Sequence, residues 1–366
     1  MKCEIEFFAV GDASCAGDAI LVRYGDPTSY DLMLVDGGHA STGNQIVSHL
    51  QSTFGPDVVL EHVVLTHSDA DHASGLRAVL EKIPVRNLWL HIPWLLADVT
   101  LFEANWTTDR LRAAIKREYD IISEILELGV NQDCYLHYPL ESQRIGPFIV
   151  CSPTLYAYQH LLPQFDKTPN PNQSVIEARK MWLGKESSVR RLIENARTAI
   201  AGWTAESWFD ERLRDCGQTS ASNESSVVLF GQFEHGNVLL TADAGLNALA
   251  WSAQFLTDSG YPLQQFEVVQ IPHHGSRRNI GPMILDRLIG PIRPKGSSPH
   301  FTAIVSAPAD DSKHPRRIVT NAFVRRGAQV AATQGTNTLY FGGFPKRAGY
   351  IDASLLPLYD IVENYD

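Results

Sequence analysis

From Glu4 to Val10, Ala19 to Tyr24 and Asp31 to Asp36, apolar side chains alternate with polar ones or run unbroken, and Gly or Asp ends each segment. That pattern predicts three strands. Ser41 and Thr42 then precede Ile46 and Leu50, four residues apart, and predict a capped helix. Val58–Thr66 reads as a strand, Gly75–Lys82 as a helix and Val85–Ile92 as a further strand. Leu111, Ile115, Tyr119, Ile122 and Leu126 follow a 4-4-3-4 spacing, which predicts one amphipathic helix stopped by Gly129. Phe148–Cys151 is strand-like. After the turn-rich stretch from Lys167 to Asn172, a helical run is predicted from about Ser174 to Ala201. Ser226–Phe230, Asn237–Thr241, Phe266–Ile271, Thr302–Val305, Gln329–Ala332 and Thr338–Phe341 return as short strands rich in Val and Leu. Strands and helices in both halves predict an α/β sandwich, one domain over residues 1–366, with a partly helical insertion at 97–217.

The composition of the 366 residues, 44% hydrophobic and 20% charged, is that of a globular protein. No apolar run approaches the ~20 residues needed to span a bilayer, so no membrane association is expected. Lys2, Glu4 and Glu6 interrupt what would be the apolar core of an export signal, which points to a cytoplasmic protein. Five cysteines, odd in number and never as C-x-x-C, fit neither a disulfide framework nor a zinc knuckle. The net charge of -10 argues against a generic polyanion binder. Within 277–326, however, ten basic residues stand against three acidic ones. That excess predicts a surface for an anionic substrate or, equally, solvated helix faces.

The strongest chemical signal is His67-Ser68-Asp69-Ala70-Asp71-His72, at the end of an apolar strand. Four ligand-type side chains within a strand-to-helix turn can converge on one point. Helix capping accounts for Asp71 or Ser74, but not for the whole cluster.

The pattern H-x-D-x-D-H-x-x-G at 67–75 resembles the metallo-β-lactamase superfamily, whose signature here is H-x-H-x-D-H. It is more similar still to the variant with Asp in second place, typical of the hydrolase domain of ComEC-type DNA-uptake proteins and their free-standing relatives. Val10-Gly11 with Gly17-Asp18-Ala19-Ile20 looks like the family's V-G-x-G-D-A-I, interrupted by an insertion. Leu34-Val35-Asp36-Gly37-Gly38 resembles L-V-D-x-G. Leu239-Leu240-Thr241-Ala242-Asp243 resembles L-L-T-G-D with Ala for Gly. Pro272-His273-His274-Gly275-Ser276 resembles P-H-H-G-S, and His314-Pro315 falls where G-H-P is common. Residues 97–217 match little of the family.

The resemblance implies an αββα sandwich holding two divalent cations. His67 and Asp69 would bind one, Asp71 and His72 the other, and Asp243 would bridge them. His274, followed by the small Gly275, is favoured over His273 to complete the second site. Asp36 would orient a ligand from behind. Asn223 stands where the family has a further histidine and would act as an oxygen ligand, a donor to substrate or a strand-edge cap. His273, Ser276 and Arg277 would support the metals or the substrate. Asp69 hardens the ligand set, which leaves zinc and manganese equally favoured, with magnesium possible. Asp71 would orient the attacking water or accept its proton, and His314 would donate to the leaving oxygen. A phosphodiester, DNA or RNA, leads as substrate. The insert, with seven basic and four acidic residues over 159–201, could then contact a polyanion while Tyr156, Tyr158, Trp182 and Trp203 stack bases. A small ester, lactone or cyclic nucleotide fits the overall negative charge better, and a non-catalytic metal-binding scaffold is a third reading.

Overall fold

A computed structural model describes residues 1–12, 15–103, 105–182 and 203–365. Its strands in chain order are β1 (Lys2–Phe7), β2 (Ile20–Asp26), β3 (Ser29–Val35), β4 (Leu60–Val64), β5 (Val85–Trp89), β6 (Tyr135–His137), β7 (Arg144–Ile145), β8 (Phe148–Ser152), β9 (Trp203–Ala205), β10 (Val228–Phe233), β11 (Gly236–Leu240), β12 (Phe266–Gln270), β13 (Phe301–Val305), β14 (Ala328–Ala332), β15 (Thr338–Gly342) and β16 (Ile361–Glu363). One sheet has the order β15-β1-β2-β3-β4-β5-β6 and a second β14-β13-β12-β11-β10-β8-β7, while β16 pairs with β9. The stretch 97–217 thus adds β6, β7 and β8 to the two large sheets as well as supplying helices.

The two-residue period of a strand explains the continuous apolar runs, because both faces are buried. In β3, Met33 and Val35 join the cluster that also holds Phe148, Val150, Leu229 and Val268, the layer between the sheets. Leu32 and Leu34 join Ile46, Leu50, Leu76 and Val79 under the helices of the first sheet. In β8, Phe148 and Val150 face inward, while Ile149 and Cys151 pack beneath the second sheet's helices with Leu249, Ile318 and Phe323. Helix, sheet, sheet, helix is the αββα arrangement, and it matches the fold class predicted from the sequence.

Two predicted helices differ in extent. The run from Leu111 to Leu126 is two helices, Thr108–Glu118 and Asp120–Asn131, broken at Tyr119 (ψ 54°). The 4-4-3-4 pattern survives the break because both helices pack their apolar face on the same core, and the second continues past Gly129 to Asn131. The helix predicted over Ser174–Ala201 is present as Gln173–Trp182; its remainder, with Lys185, Arg190, Arg191 and Arg197, lies outside the described residues. Among the described residues no helix is long and apolar enough to cross a membrane, and all five cysteines are free.

β1 shows what alternation conceals. Glu4 and Glu6, which read as a polar face, are buried. Glu6 accepts hydrogen bonds from His49 Nε2 (3.0 Å), Arg347 Nη2 (2.8 Å), Asn337 Nδ2 (3.1 Å) and Tyr350 Oη (2.5 Å). Burial alone would raise its carboxyl, but these donors lower it from 4.5 to about 2. A carboxylate depressed in the fold contributes stability above its unfolded value and loses it as pH falls through the folded one. Roughly 3 kcal/mol, at 1.36 per unit, should therefore disappear between about pH 5 and pH 2. Urea midpoints across that range check this, with Glu6→Gln expected to flatten the dependence.

The parallel strands β3, β4 and β5 in one sheet, and β11 to β14 in the other, release their loops at carboxyl ends, the usual place for chemistry in α/β folds. At this edge the backbone runs so close that a side chain on Gly75 would bring Cβ within 2.0 Å of Gly37 O. The glycine closing H-x-D-x-D-H-x-x-G is thus a packing requirement: it lets the helix after the motif dock on the loop that carries Asp36.

Candidate metal centre

Each histidine at this edge has one ring nitrogen fixed by a neighbour. Thr66 donates its hydroxyl to Asp36 Oδ2 (2.7 Å) and its backbone N–H to Asp36 Oδ1 (2.8 Å). With its proton so committed, Thr66 Oγ1 can only accept from His67 Nδ1 (3.0 Å). His72 Nδ1 donates to Asp36 Oδ2 (2.7 Å) and His274 Nδ1 to the carbonyl of Ser306 (3.1 Å). Asn279 spends its amide N–H on the carbonyl of Asp243 (2.8 Å), so its oxygen accepts from His273 Nδ1 (2.8 Å). All four rings therefore direct Nε2 away from the scaffold. A carboxylate or carbonyl behind a histidine, fixing its tautomer, is the usual support of a metal ligand.

Those Nε2 atoms meet two carboxylates. His72 Nε2 lies 3.4 Å from Asp243 Oδ1, while His67 Nε2 and His273 Nε2 lie 3.9 and 3.5 Å from Asp243 Oδ2. Asp71 Oδ2 is 3.9 Å from His72 Nε2 and 4.0 Å from His274 Nε2. Three overlapping trios, His67–His72–Asp243, Asp71–His72–His274 and Asp243–His273–His274, each bring their ligand atoms within 4.8 Å of one another. His67 Nε2, His72 Nε2, His274 Nε2 and Asp243 Oδ1 are buried without a hydrogen-bond partner among the described residues. Buried polar atoms are ordinarily satisfied, and a convergent group of orphans has the chemistry of a cation site. This nitrogen and carboxylate set fits a divalent ion such as borderline zinc or the harder manganese.

The electrostatics agree. Burial opposes ionisation of Asp243, yet His273, His72 and His274 hold it well below the usual carboxylate range. Burial pushes His274 down to about 4, which keeps its imidazole in the neutral, ligating form. Burial also opposes a charge on His72, but Asp243 and Asp36 outweigh it and raise the group well above its ordinary value. Since Nδ1–H is committed to Asp36, the added proton sits on Nε2, and a cation binding there displaces it.

Asp69 stands at the edge: its Oδ2 is 3.7 Å from His67 Nε2, and Ser222 donates to its Oδ1 (2.6 Å). Asn223 is buried beside His273 and donates to Thr219 Oγ1 (2.8 Å). Ser276 closes the turn, with its N–H on the carbonyl of His273 (2.9 Å) and its hydroxyl accepting from Arg278 N (3.3 Å). Arg277 lies over the ring of Tyr365 (5.0 Å) and donates to the carbonyl of Asn364, so the C-terminal segment holds its charge. His314 sits beside the histidine turn, where Arg316 N donates to Gly275 O (3.2 Å), and its Nδ1 donates to Asp311 Oδ2 (2.9 Å).

Sequence reasoning missed the supports. Thr66, Asn279 and Ser306 do not read as site residues, and neither does Gln270. Its Oε1 accepts from Thr241 N and Ala242 N (2.9 Å each), while its Nε2 donates to Asp18 Oδ2 (2.9 Å). A glutamine closing the strand Phe266–Gln270 directly after Val268 and Val269 was the available signal. Burial raises the Asp18 carboxyl to about 7. Asp36, Ala242, His273 and His274 all adopt left-handed backbone (φ 59°, 47°, 46° and 56°), strain that concentrates at functional loops. Replacing Asp36 by Asn puts an amide where Thr66 and His72 need an acceptor. About 10- to 100-fold weaker metal binding is expected, measured by competition with a chromogenic chelator.

An αββα sandwich with imidazoles and carboxylates gathered where its two sheets open defines a class of metal-binding α/β proteins. Residues 14–96, the segment holding Asp36 and the 67–72 cluster, match the model of the metallo-beta-lactamase superfamily. No curated protein matches the sequence. Among solved structures, the metallo-beta-lactamase fold protein YhfI from Bacillus subtilis is similar at 11% identity and TM-score 0.43, covering 93% of this chain and 100% of its own. Tm1679, a metal-dependent hydrolase of the beta-lactamase superfamily, is similar at 15% identity and TM-score 0.43, covering 92% and 98%. Zinc-bound PqqB from Methylobacterium extorquens is similar at 11% identity and TM-score 0.38, covering 92% and 99%.

Proposed function

We propose that this chain is a metal-dependent hydrolase that acts on a small ester or lactone. The observation carrying the reading is the convergence of four fixed histidines on Asp71 and Asp243, with the Nε2 atoms of His67, His72 and His274 buried and without a hydrogen-bond partner among the described residues. His67, His72, His273, His274, Asp71 and Asp243 would hold two divalent cations, with Asp69 at the edge. Bound there, such cations lower the pKa of water and stabilise charge on the attacked group. Asp71, partly exposed between the cluster and solvent, orients the attacking water and receives its proton. Burial holds the His314 imidazole below its ordinary pKa, so with Nδ1–H on Asp311 its Nε2 serves as an acceptor, and the leaving oxygen takes the proton that Asp71 receives from the water.

A small substrate is favoured for two reasons. The cleft beside the cluster encloses about 570 Å³, within the range of small-molecule sites. The basic excess at 277–326 is also smaller at the surface: Arg325 and Arg326 are buried in ion pairs with Glu206, Glu211 and Asp286. Of the rings read as base stackers, Tyr158 is buried against His91 and Trp203 lies beneath Arg317, while the side chain of Trp182 falls outside the described residues. A phosphodiester substrate is the second reading, carried by the ComEC-like motif and its extra carboxylate at Asp69.

Chelator-stripped protein, reloaded with Zn²⁺ or Mn²⁺, should be offered an aryl ester, a lactone, bis-p-nitrophenyl phosphate and single-stranded and plasmid DNA. Turnover of the ester or lactone, abolished by chelator, is expected. Cleavage confined to the phosphodiesters would overturn the substrate assignment.

A further inference from the structure

Asp69 differs from Asp243 in what restrains it. Its side chain is 40% exposed, against 3% for Asp243, so packing alone does not fix the carboxylate. Asp69 occupies the N-cap position of the helix Ala70–Ala73, where an aspartate ordinarily turns back to accept from a backbone N–H of the first turn. Here the side chain makes no such bond. Ser222 Oγ donates instead to Asp69 Oδ1 (2.6 Å), across 153 residues of sequence. A carboxylate only accepts, so the hydroxyl's proton is committed to it. The other oxygen, Oδ2, is left facing His67 Nε2 at 3.7 Å.

Ser222 can restrain Asp69 because its own place is fixed from several sides. It lies in the helix Ala221–Glu224, whose N-cap Ser220 accepts from Asn223 N (3.1 Å). Ser225 Oγ donates to the Ser222 carbonyl (2.6 Å). Glu224 accepts from Ala248 N (2.9 Å) and Asn247 Nδ2 (3.1 Å), in the first turn of the helix Leu246–Asp258 that follows Asp243. Val227 N then donates to Thr66 O (3.1 Å), directly before His67. This short helix and the residues after it thus tie the segment carrying His67 and Asp69 to the segment carrying Asp243.

We propose that Ser222 is a positioning residue of the metal centre, a role that rests on the hydrolase reading: its hydroxyl takes one oxygen of Asp69 and presents the other to the cation held by His67. An exposed carboxylate already in its ligating rotamer binds without the entropic cost of being ordered. With Oδ1 occupied by Ser222, Asp69 binds through Oδ2 alone.

The test is a double-mutant cycle on metal binding by the full chain, with no substrate present. Zn²⁺ and Co²⁺ affinities are read by competition with a chromogenic chelator, and the visible spectrum of the Co²⁺ form reports the ligands around the ion. Ser222→Ala should weaken one of two bound equivalents about tenfold and alter the Co²⁺ spectrum. Asp69→Ala should weaken the same equivalent at least as much, and adding Ser222→Ala to it should cost nothing further. A serine that merely supports the fold would cost the same in both backgrounds. Unchanged affinity in Ser222→Ala, or an equal loss where Asp69 is already alanine, overturns the inference and leaves the metal centre standing. Wild-type protein that binds neither ion removes the hydrolase reading and the inference with it.

Discussion

Asp243→Ala is expected to lower kcat/KM by about 10³-fold or more, several kcal/mol at 1.36 per tenfold, and to reduce bound metal in parallel. The carboxylate is buried and central: Oδ1 faces His72 and Oδ2 faces both His67 and His273. It belongs to two of the three ligand trios, so its loss opens both halves of the centre. Alanine also removes the anion that draws a proton onto His72, so a stable but metal-poor protein is expected. Metal content by mass spectrometry, beside kcat/KM on the substrate found, checks the prediction. Full activity with full metal would take Asp243 out of the centre.

Arg325→Ala is expected to destabilise the fold by about 3–5 kcal/mol, because removing one partner of a buried pair leaves the other charged and unpaired. Arg325 Nη2 is 3.1 Å from Glu206 Oε2, and both side chains are fully buried. The guanidinium also donates to the carbonyls of Ser207 (2.5 Å) and Trp208 (3.1 Å), tying the segment after β9 to the helix Arg317–Arg325. Joint replacement of Arg325 and Glu206 by Met and Leu should recover much of the loss. Denaturant titration reads both effects. A stable Arg325→Ala protein that loses activity would return this side chain to substrate binding.

That contrast marks how far the sequence could be read. The strands were legible because each buries an apolar set at period two, and the site because His67, Asp69, Asp71 and His72 are neighbours in sequence. The basic excess at 277–326 overstated the free charge at two positions, because the charges that pair with the buried Arg325 and Arg326 include Glu206 and Glu211, more than a hundred residues away. No local pattern reports such a pairing. The break at Tyr119 was invisible for a different reason: both helices share one apolar face, so the period passes through the kink. Thr66, Gln270, Asn279 and Ser306 went unread because their role is to hold a ligand's far side. Only the folded arrangement reveals that, and of the two adjacent histidines it directs Nε2 of both towards Asp243.

Anomalous diffraction from crystals grown with Zn²⁺ or Mn²⁺, collected at the metal's absorption edge, is the direct test of the centre. Two peaks flanking Asp243 are expected, one beside Asp71, His72 and His274 and one beside His67 and His273. Loaded crystals with no peak among these residues, or with metal elsewhere on the chain, would contradict the account.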